Sequence, residues 1–415
     1  MPAQPLGAPA PLDGRIPADS TVHLSERDFS LYVHVPFCTV RCGYCDFNTY
    51  TSQDFGQGVG LASYAQDARA ELRFARQVLQ DSGAPARPLF SVFFGGGTPT
   101  QLPVADLVSI LQEAIDLFGL AEGAEVTTEA NPDSVTRQDL FDLKAGGFTR
   151  VSFGMQSVVP EVLAVLDRTH TPARVPQVVA WAKEAGLQVS VDLIYGSPGE
   201  SLADWEKSVR AAVSYGPDHI SAYSLIVEEG TKLAAQIRRG QYSMPDEDLM
   251  ADMYLLAERI FTEAGYHWYE VSNYAKSPEF RSRHNYAYWR NQDWWGIGPG
   301  AHSHVNGTRW WNLKHPLPYA QRVREGQSPA AAREVLDAST RSFEDIMLQV
   351  RVIDGLKISR LLDGADHDRV QASLDWLEGQ GLIEPEARAE GRVQLTLQGR
   401  LLGDAVTREL LPDRE

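Results

Sequence analysis

From Leu31 onward, short apolar runs alternate with longer stretches whose apolar residues recur at helical spacing. The runs Leu31 to Val35, Phe90 to Phe94, Glu125 to Glu129, Arg150 to Gly154, Gln188 to Leu193 and His219 to Leu225 read as strands. Between them, Ala62 to Leu79, Val104 to Phe118, Arg137 to Ala145, Ala173 to Ala185 and Leu202 to Val213 read as helices. Strands alternating with helices in this order predict βα units around a parallel sheet, and right-handed crossovers curve such a sheet. The expected fold is therefore α/β, a partial (β/α)6 barrel over residues 29–240, short of the eight units of a closed barrel.

The flanking segments have other textures. Residues 1–28 are rich in Pro, Ala and Gly without a period, and predict a mobile N-terminal arm. Residues 241–335 are expected to form an aromatic-rich cap, because the stretch from His267 to His304 interleaves Trp and Tyr with His, Asn, Arg and Gly. Residues 336–415 combine helical patterns at Phe343 to Gln349, Ile358 to Leu362 and His367 to Gln380 with a hairpin-like end, predicting a small winged-helix-like module. The helix that would read DNA is acidic, so packing or partner docking is its expected role.

Composition narrows the class. A hydrophobic fraction of 43% is ordinary for a globular chain, while a net charge of -17 argues against nucleic acid as a partner. No apolar run reaches the length of a membrane span, and the first residues lack a basic region followed by an apolar one. The expected location is the cytoplasm, with transient membrane association left open, and three cysteines in 415 residues do not make a disulfide scaffold.

Each expected strand ends in a polar or glycine-rich loop, and ligands in such sheets gather at the carboxyl ends of strands. In order, these loops hold Cys38, Cys42 and Cys45; Gly95-Gly96-Gly97-Thr98; Glu129-Ala130-Asn131-Pro132; Gly154-Met155-Gln156-Ser157; and Asp192 leading into Tyr195-Gly196-Ser197-Pro198-Gly199. All the cysteines of the chain lie in the first loop. Three thiolates can each hold one iron of a cubane and leave the fourth iron open to a small molecule. A Cys3His zinc site using His34 is the alternative, and three unliganded cysteines a weaker one in so polar a loop.

S-adenosylmethionine suits an open iron, because its amino and carboxylate groups can chelate there. The glycine loop would admit its amino end, Glu129 would accept from that end or from the ribose, Arg168 would pair with the carboxylate, and Gln156 and Asp192 would supply ribose and amino contacts. Tyr32, beside the cysteine loop, would pack on the adenine or cap the cluster.

The run Tyr32-Val33-His34-Val35-Pro36-Phe37-Cys38, continuing through Cys45-Asp46-Phe47, resembles the radical S-adenosylmethionine superfamily, as do the four later motifs. Within it, the chain is similar to the branch containing oxygen-independent coproporphyrinogen III dehydrogenase and the haem chaperones of the HemW type. The resemblance implies a [4Fe-4S] cluster on Cys38, Cys42 and Cys45. It also implies S-adenosylmethionine contacts at Tyr32, Gly96, Gly97, Thr98, Glu129, Gln156, Arg168, Asp192 and Ile226. The dehydrogenases carry a further cysteine two positions after the third, where this chain has Phe47. His284-Asn285-Tyr286-Ala287-Tyr288-Trp289 is similar to an H-N-x-x-Y-W motif that the resemblance links to haem, making His284 and Tyr288 haem candidates, with His302 and His304 behind them. The sequence thus supports a haem chaperone delivering haem to a client haem protein. A dehydrogenase acting through an adenosyl radical is the alternative.

Overall fold

The computed structural model describes residues 6–362 and 366–411. The expected strands appear in place: β1 Phe29–Val35, β2 Leu89–Gly96, β3 Leu120–Ala130, β4 Arg150–Gln156, β5 Gln188–Tyr195 and β6 His219–Ser224. They pair in that order, all parallel. Alternate apolar residues, Leu31, Val33 and Val35 in β1 or Val189, Val191 and Leu193 in β5, are buried because helices cover the outer face, while Tyr32, Ser190 and Asp192 point to the cavity on the other. Those helices are α1 Leu61–Asp81, α2 Val104–Phe118, α3 Arg137–Ala145, α5 Arg174–Glu184 and α6 Leu202–Tyr215, whereas α4 Pro160–Val165 packs Val162 with Leu166, Ile194, Leu225 and Leu233 in a separate cluster.

Residues 241–335 extend this sheet at both edges as well as walling the concavity. β7 His267–Glu270 and β8 Asn273–Ala275 form a hairpin, antiparallel to β6. At the other edge β9 Asp293–Ile297 runs parallel to β1, so seven strands share one direction, and β10 His302–Val305, β11 Thr308–Asn312 and β12 Ala330–Val335 continue antiparallel. Alternation explains β9: Trp295 and Ile297 are buried with the helices, while Trp294 turns to the concave side against Tyr288. Among the described residues the sheet has thirteen strands, ordered from the short Ala8–Pro9 strand at one end to β7 at the other.

The described part of the expected mobile arm, 6–28, is laid against the body. Ala8–Pro9 pairs with β12, Ile16 and Leu24 are buried, and Arg27 joins Arg87 on the buried carboxylate of Asp293. Local periodicity could not reveal this, since Asp293 and β12 lie more than 250 residues away. The C-terminal module has its own core, including Ile346, Val350, Leu374, Leu377, Val393 and Val406. Its sheet is small, Leu356–Lys357 against Arg392–Val393, and Arg400 ties it to Glu258 of the body.

Candidate functional site

The carboxyl ends of β1 to β6 enclose a cavity of about 830 Å³, a volume typical of small-molecule sites. Tyr32, the three cysteines, Gly96, Gly97, Thr98, Glu129, Gln156, Arg168, Asp192, Ile226, His284 and Tyr288 all line it. His302 and His304 do not.

The cysteine loop leaves β1 and is pinned by backbone bonds. Cys38 N–H donates to Tyr50 O (3.0 Å), Gly43 N–H to Leu166 O (3.2 Å) and Leu233 N–H to Gly43 O (2.8 Å). Thr98 Oγ1 lies 3.8 Å from Cys38 Sγ, and an Arg168 guanidinium nitrogen 3.5 Å from Cys42 Sγ. Burial raises the Cys38 thiol to about 11 and raises Cys45. Iron would therefore displace protons here, as metal binding to thiols does.

The zinc alternative needs His34 as its fourth ligand. Among the described residues no three His, Cys, Asp or Glu side chains converge on one ion. His34 is also spent, with Nδ1 2.9 Å from Tyr32 OH and Nε2 2.9 Å from Asn48 O.

The glycine loop is a cradle that side chains would fill. A Cβ on Gly97 would stand 2.6 Å from Phe37 O, 2.8 Å from Val35 O and 3.1 Å from Cys38 Sγ. Gly96 has φ +105, and its N–H donates to Glu129 Oε2 (3.2 Å). Burial, then the charge of Asp192, pushes Glu129 up to about 8, and a cationic amino group beside it would favour its charged form. Asp192 accepts from Ser152 Oγ at 2.8 Å.

At the end of β4 the pairing with β5 slips by a bulge between Gly154 and Gln156, and Gln156 adopts φ +61. Left-handed backbone at a residue with a side chain is uncommon and costs free energy, and it clusters at functional sites. It turns the Gln156 amide into the cavity, where Oε1 is buried without a partner. Arg168 donates to Gly154 O (2.7 Å), while its Nε is buried and unpaired. These orphaned polar atoms, beside a cysteine triplet and a glycine cradle, fit a polar ligand carrying both donors and acceptors.

His284 lies deeper. It is buried between Phe93 (ring centroids 5.0 Å apart) and Tyr32 (6.3 Å). Ser91 Oγ is 2.8 Å from Nδ1 and Tyr288 OH 2.8 Å from Nε2, and burial lowers the imidazole to about 3. It is neutral, but both nitrogens are engaged. His304 is similarly used by Gln292 O and Gly307 N–H, whereas His302 is exposed on the face of Trp311.

Two side chains on this rim escaped the sequence reading. His170 lines the cavity and is buried, and Glu200 Oε2 accepts from Gly196 and Ser197 N–H, bracing the loop after β5. The spacing from Arg168 to His170, and from Gly196 to Glu200, was the only available signal.

The sequence model of the Radical SAM superfamily matches residues 32–212. Over 405 residues the chain is 45% identical to the Heme chaperone HemW of Mycobacterium tuberculosis (strain H37Rv), spanning 97% of this chain and 98% of that protein. It is 33% identical over 392 residues to the Heme chaperone HemW of Bacillus subtilis (strain 168), spanning 91% and 97%. The solved structure of Escherichia coli coproporphyrinogen III oxidase (HemN), a radical SAM enzyme, aligns with TM-score 0.77 over 95% of this chain and 92% of that one. At 22% identity, that likeness speaks for the fold alone.

Proposed function

Because the chain belongs to the radical SAM superfamily, in the family of proteins named haem chaperone HemW, we propose that it is a haem carrier passing haem to a client haem protein. A [4Fe-4S] cluster would sit on Cys38, Cys42 and Cys45, with S-adenosylmethionine on its fourth iron. The observation that carries this reading is similarity to the named chaperones along nearly the whole chain, C-terminal module included. Phe47, exposed at the cavity mouth, favours it over porphyrinogen oxidation, because the resembling dehydrogenases have a cysteine there.

The cluster and its ligand would supply reductive sulfonium chemistry or a redox-sensitive hold on the site. The chain's own residues do the rest. Gly95 to Gly97 admit a backbone-close ligand, Glu129 accepts from its amino group, and Arg168 offers charge to its carboxylate. Gln156 and Asp192 take ribose hydroxyls, with Thr98, Tyr32 and Ile226 bounding the nucleoside. Haem contact falls to the Tyr288 side of the cavity. His284 reaches an iron only by exchanging its bond to Tyr288, since a ligating imidazole needs a free nitrogen lone pair.

Anaerobic reconstitution followed by coproporphyrinogen III, S-adenosylmethionine and a reductant should yield no protoporphyrinogen. Haem-loaded protein should pass haem to an apo-haem protein. Sustained protoporphyrinogen formation would overturn the carrier reading. Cys42→Ser should lose the cluster's visible absorbance, and retention of a full complement of iron would displace the cluster from this loop.

A further inference from the structure

Below the rim the cavity has a second polar level that none of the S-adenosylmethionine contacts uses. Thr127 on β3, Arg150 on β4, Ser190 on β5 and His219 on β6 all line it. Cross-strand register sets Thr127 beside Arg150 and Ser190 beside His219, and Arg150 Nη1 donates to Ser190 Oγ at 3.1 Å. The four side chains therefore form one row across neighbouring strands. Glu129 and Asp192 follow Thr127 and Ser190 by two residues on the same face, so the row lies about 7 Å further from the cysteine loop than those carboxylates.

Three atoms of the row are buried with no hydrogen-bond partner among the described residues: Thr127 Oγ1, Arg150 Nε and His219 Nδ1. Arg150 Nε can only donate, and the rest of its guanidinium is engaged by Gln188, the carbonyls of Phe280 and Arg281, and Glu125. Burial, then the charge of Arg150, lowers the His219 imidazole well below its ordinary value and keeps it neutral. Tyr269 OH accepts from Ser282 N–H (3.0 Å) and gives its own proton to His219 Nε2 at 2.8 Å, which leaves the ring hydrogen on Nδ1. Two obligate donors and a hydroxyl, unpaired in a buried row, call for a group that only accepts. A carboxylate is such a group.

The row adjoins the haem candidates. Phe93, on which the His284 ring stacks at 5.0 Å, is the register partner of Thr127 on β2. Ser282, whose N–H holds Tyr269, also caps the helix Arg283–Trp289 that carries His284 and Tyr288. A carboxylate on a short flexible arm, entering from the Tyr288 side, meets these donors. The propionates of haem are arms of that kind.

We propose that Thr127, Arg150 and His219 form a deep subsite for a carboxylate of the cargo, a haem propionate. This rests on the carrier reading given above and adds to it a site that neither the sequence motifs nor the resemblance supplied.

The test is equilibrium binding of haem and of haem dimethyl ester, whose propionates carry no charge, to the cluster-reconstituted full chain, wild type against Thr127→Val. Valine keeps the side-chain shape and removes an unpaired buried hydroxyl, so the ligand-free melting temperature should not fall. Affinity for haem should drop by about 10- to 100-fold, the range of one hydrogen bond to a charged group. Affinity for the ester and for S-adenosylmethionine should stay at the wild-type value. His219→Phe, which removes the donor at the other end of the row, should show the same split between haem and ester. Unchanged haem affinity in both variants, equal weakening of haem and ester, or weakening of S-adenosylmethionine in place of haem would overturn the proposal. A wild-type chain that binds neither haem nor its ester would instead overturn the carrier reading itself.

Discussion

Adding one methyl group at Gly97 tests whether the glycine cradle and the cysteine loop are a single fitted unit. In Gly97→Ala the new Cβ meets backbone oxygens of Phe37 and Val35 at 2.6 and 2.8 Å and Cys38 Sγ at 3.1 Å. Ordinary contact begins at 3.4 Å, so the closest pair must part by about 0.8 Å. The obstacles are the backbone of β1's end, which cannot swing aside as a flexible side chain would. Gly97 N–H also donates to Val35 O (2.8 Å) and Thr98 N–H to Phe37 O (2.8 Å), so parting the chains strains both bonds. Overpacking of this kind costs about 1–3 kcal/mol, and the displacement falls on the thiolate nearest the cradle. The assay is iron and sulfide content after anaerobic reconstitution, together with denaturant unfolding of the cluster-free chain. Gly97→Ala should lower both. Gly379→Ala, whose Cβ meets nothing within 4 Å, is the control and should leave the cluster intact. A Gly97→Ala protein with wild-type stability and a full cluster would refute the argument that these loops are sterically locked.

Glu200 gives a pH test. Burial lifts its carboxyl to about 7, so between its ordinary value near 4.5 and about 7 the unfolded chain has lost a proton that the folded chain keeps. Stability therefore falls across that window as pH rises and levels off above it. Glu200→Gln keeps an oxygen for Gly196 and Ser197; it should match wild type near pH 4.5 and exceed it by up to about 3 kcal/mol at pH 8, and parallel urea curves at both pH values would contradict this. Arg87→Met should cost about 3 kcal/mol, because Asp293, fully buried, would keep only Arg27 as a cation; an unchanged denaturation midpoint would show that pair to be dispensable. Tyr288→Phe releases His284 Nε2, and should tighten haem binding with a sharpened Soret band if His284 is the ligand. An unaltered spectrum in both Tyr288→Phe and His284→Ala would remove His284 from haem contact.

Much of the site was legible in the chain order alone. Each βα unit places its loop at the same end of a parallel sheet, so five polar loops in sequence had to share a rim, and the cysteine, glycine, Glu129, Gln156 and Asp192 positions follow from that. Periodicity likewise located the core strands, since the face packed on the helices is apolar at every second residue. What it could not locate were contacts made across long separations. β9 was hidden in an aromatic stretch because only its pairing with β1, more than 250 residues earlier, distinguishes a strand there from a lining. The N-terminal segment has no period of its own, and is held by Asp293, Thr308 and β12.

The spacing of residue types, then, determined the fold class and which side chains share the cavity, because strand direction and side-chain alternation are local and repeat along the chain. Tertiary structure alone decided the state of each one. His34 and His284 look like ready ligands in the sequence, but Tyr32, Asn48, Ser91 and Tyr288 occupy their nitrogens. Gln156 looks like an ordinary strand-end residue in the sequence and is left with a buried, unpartnered Oε1. Whether a polar atom is free or satisfied depends on partners brought from distant segments, and only the folded chain supplies them.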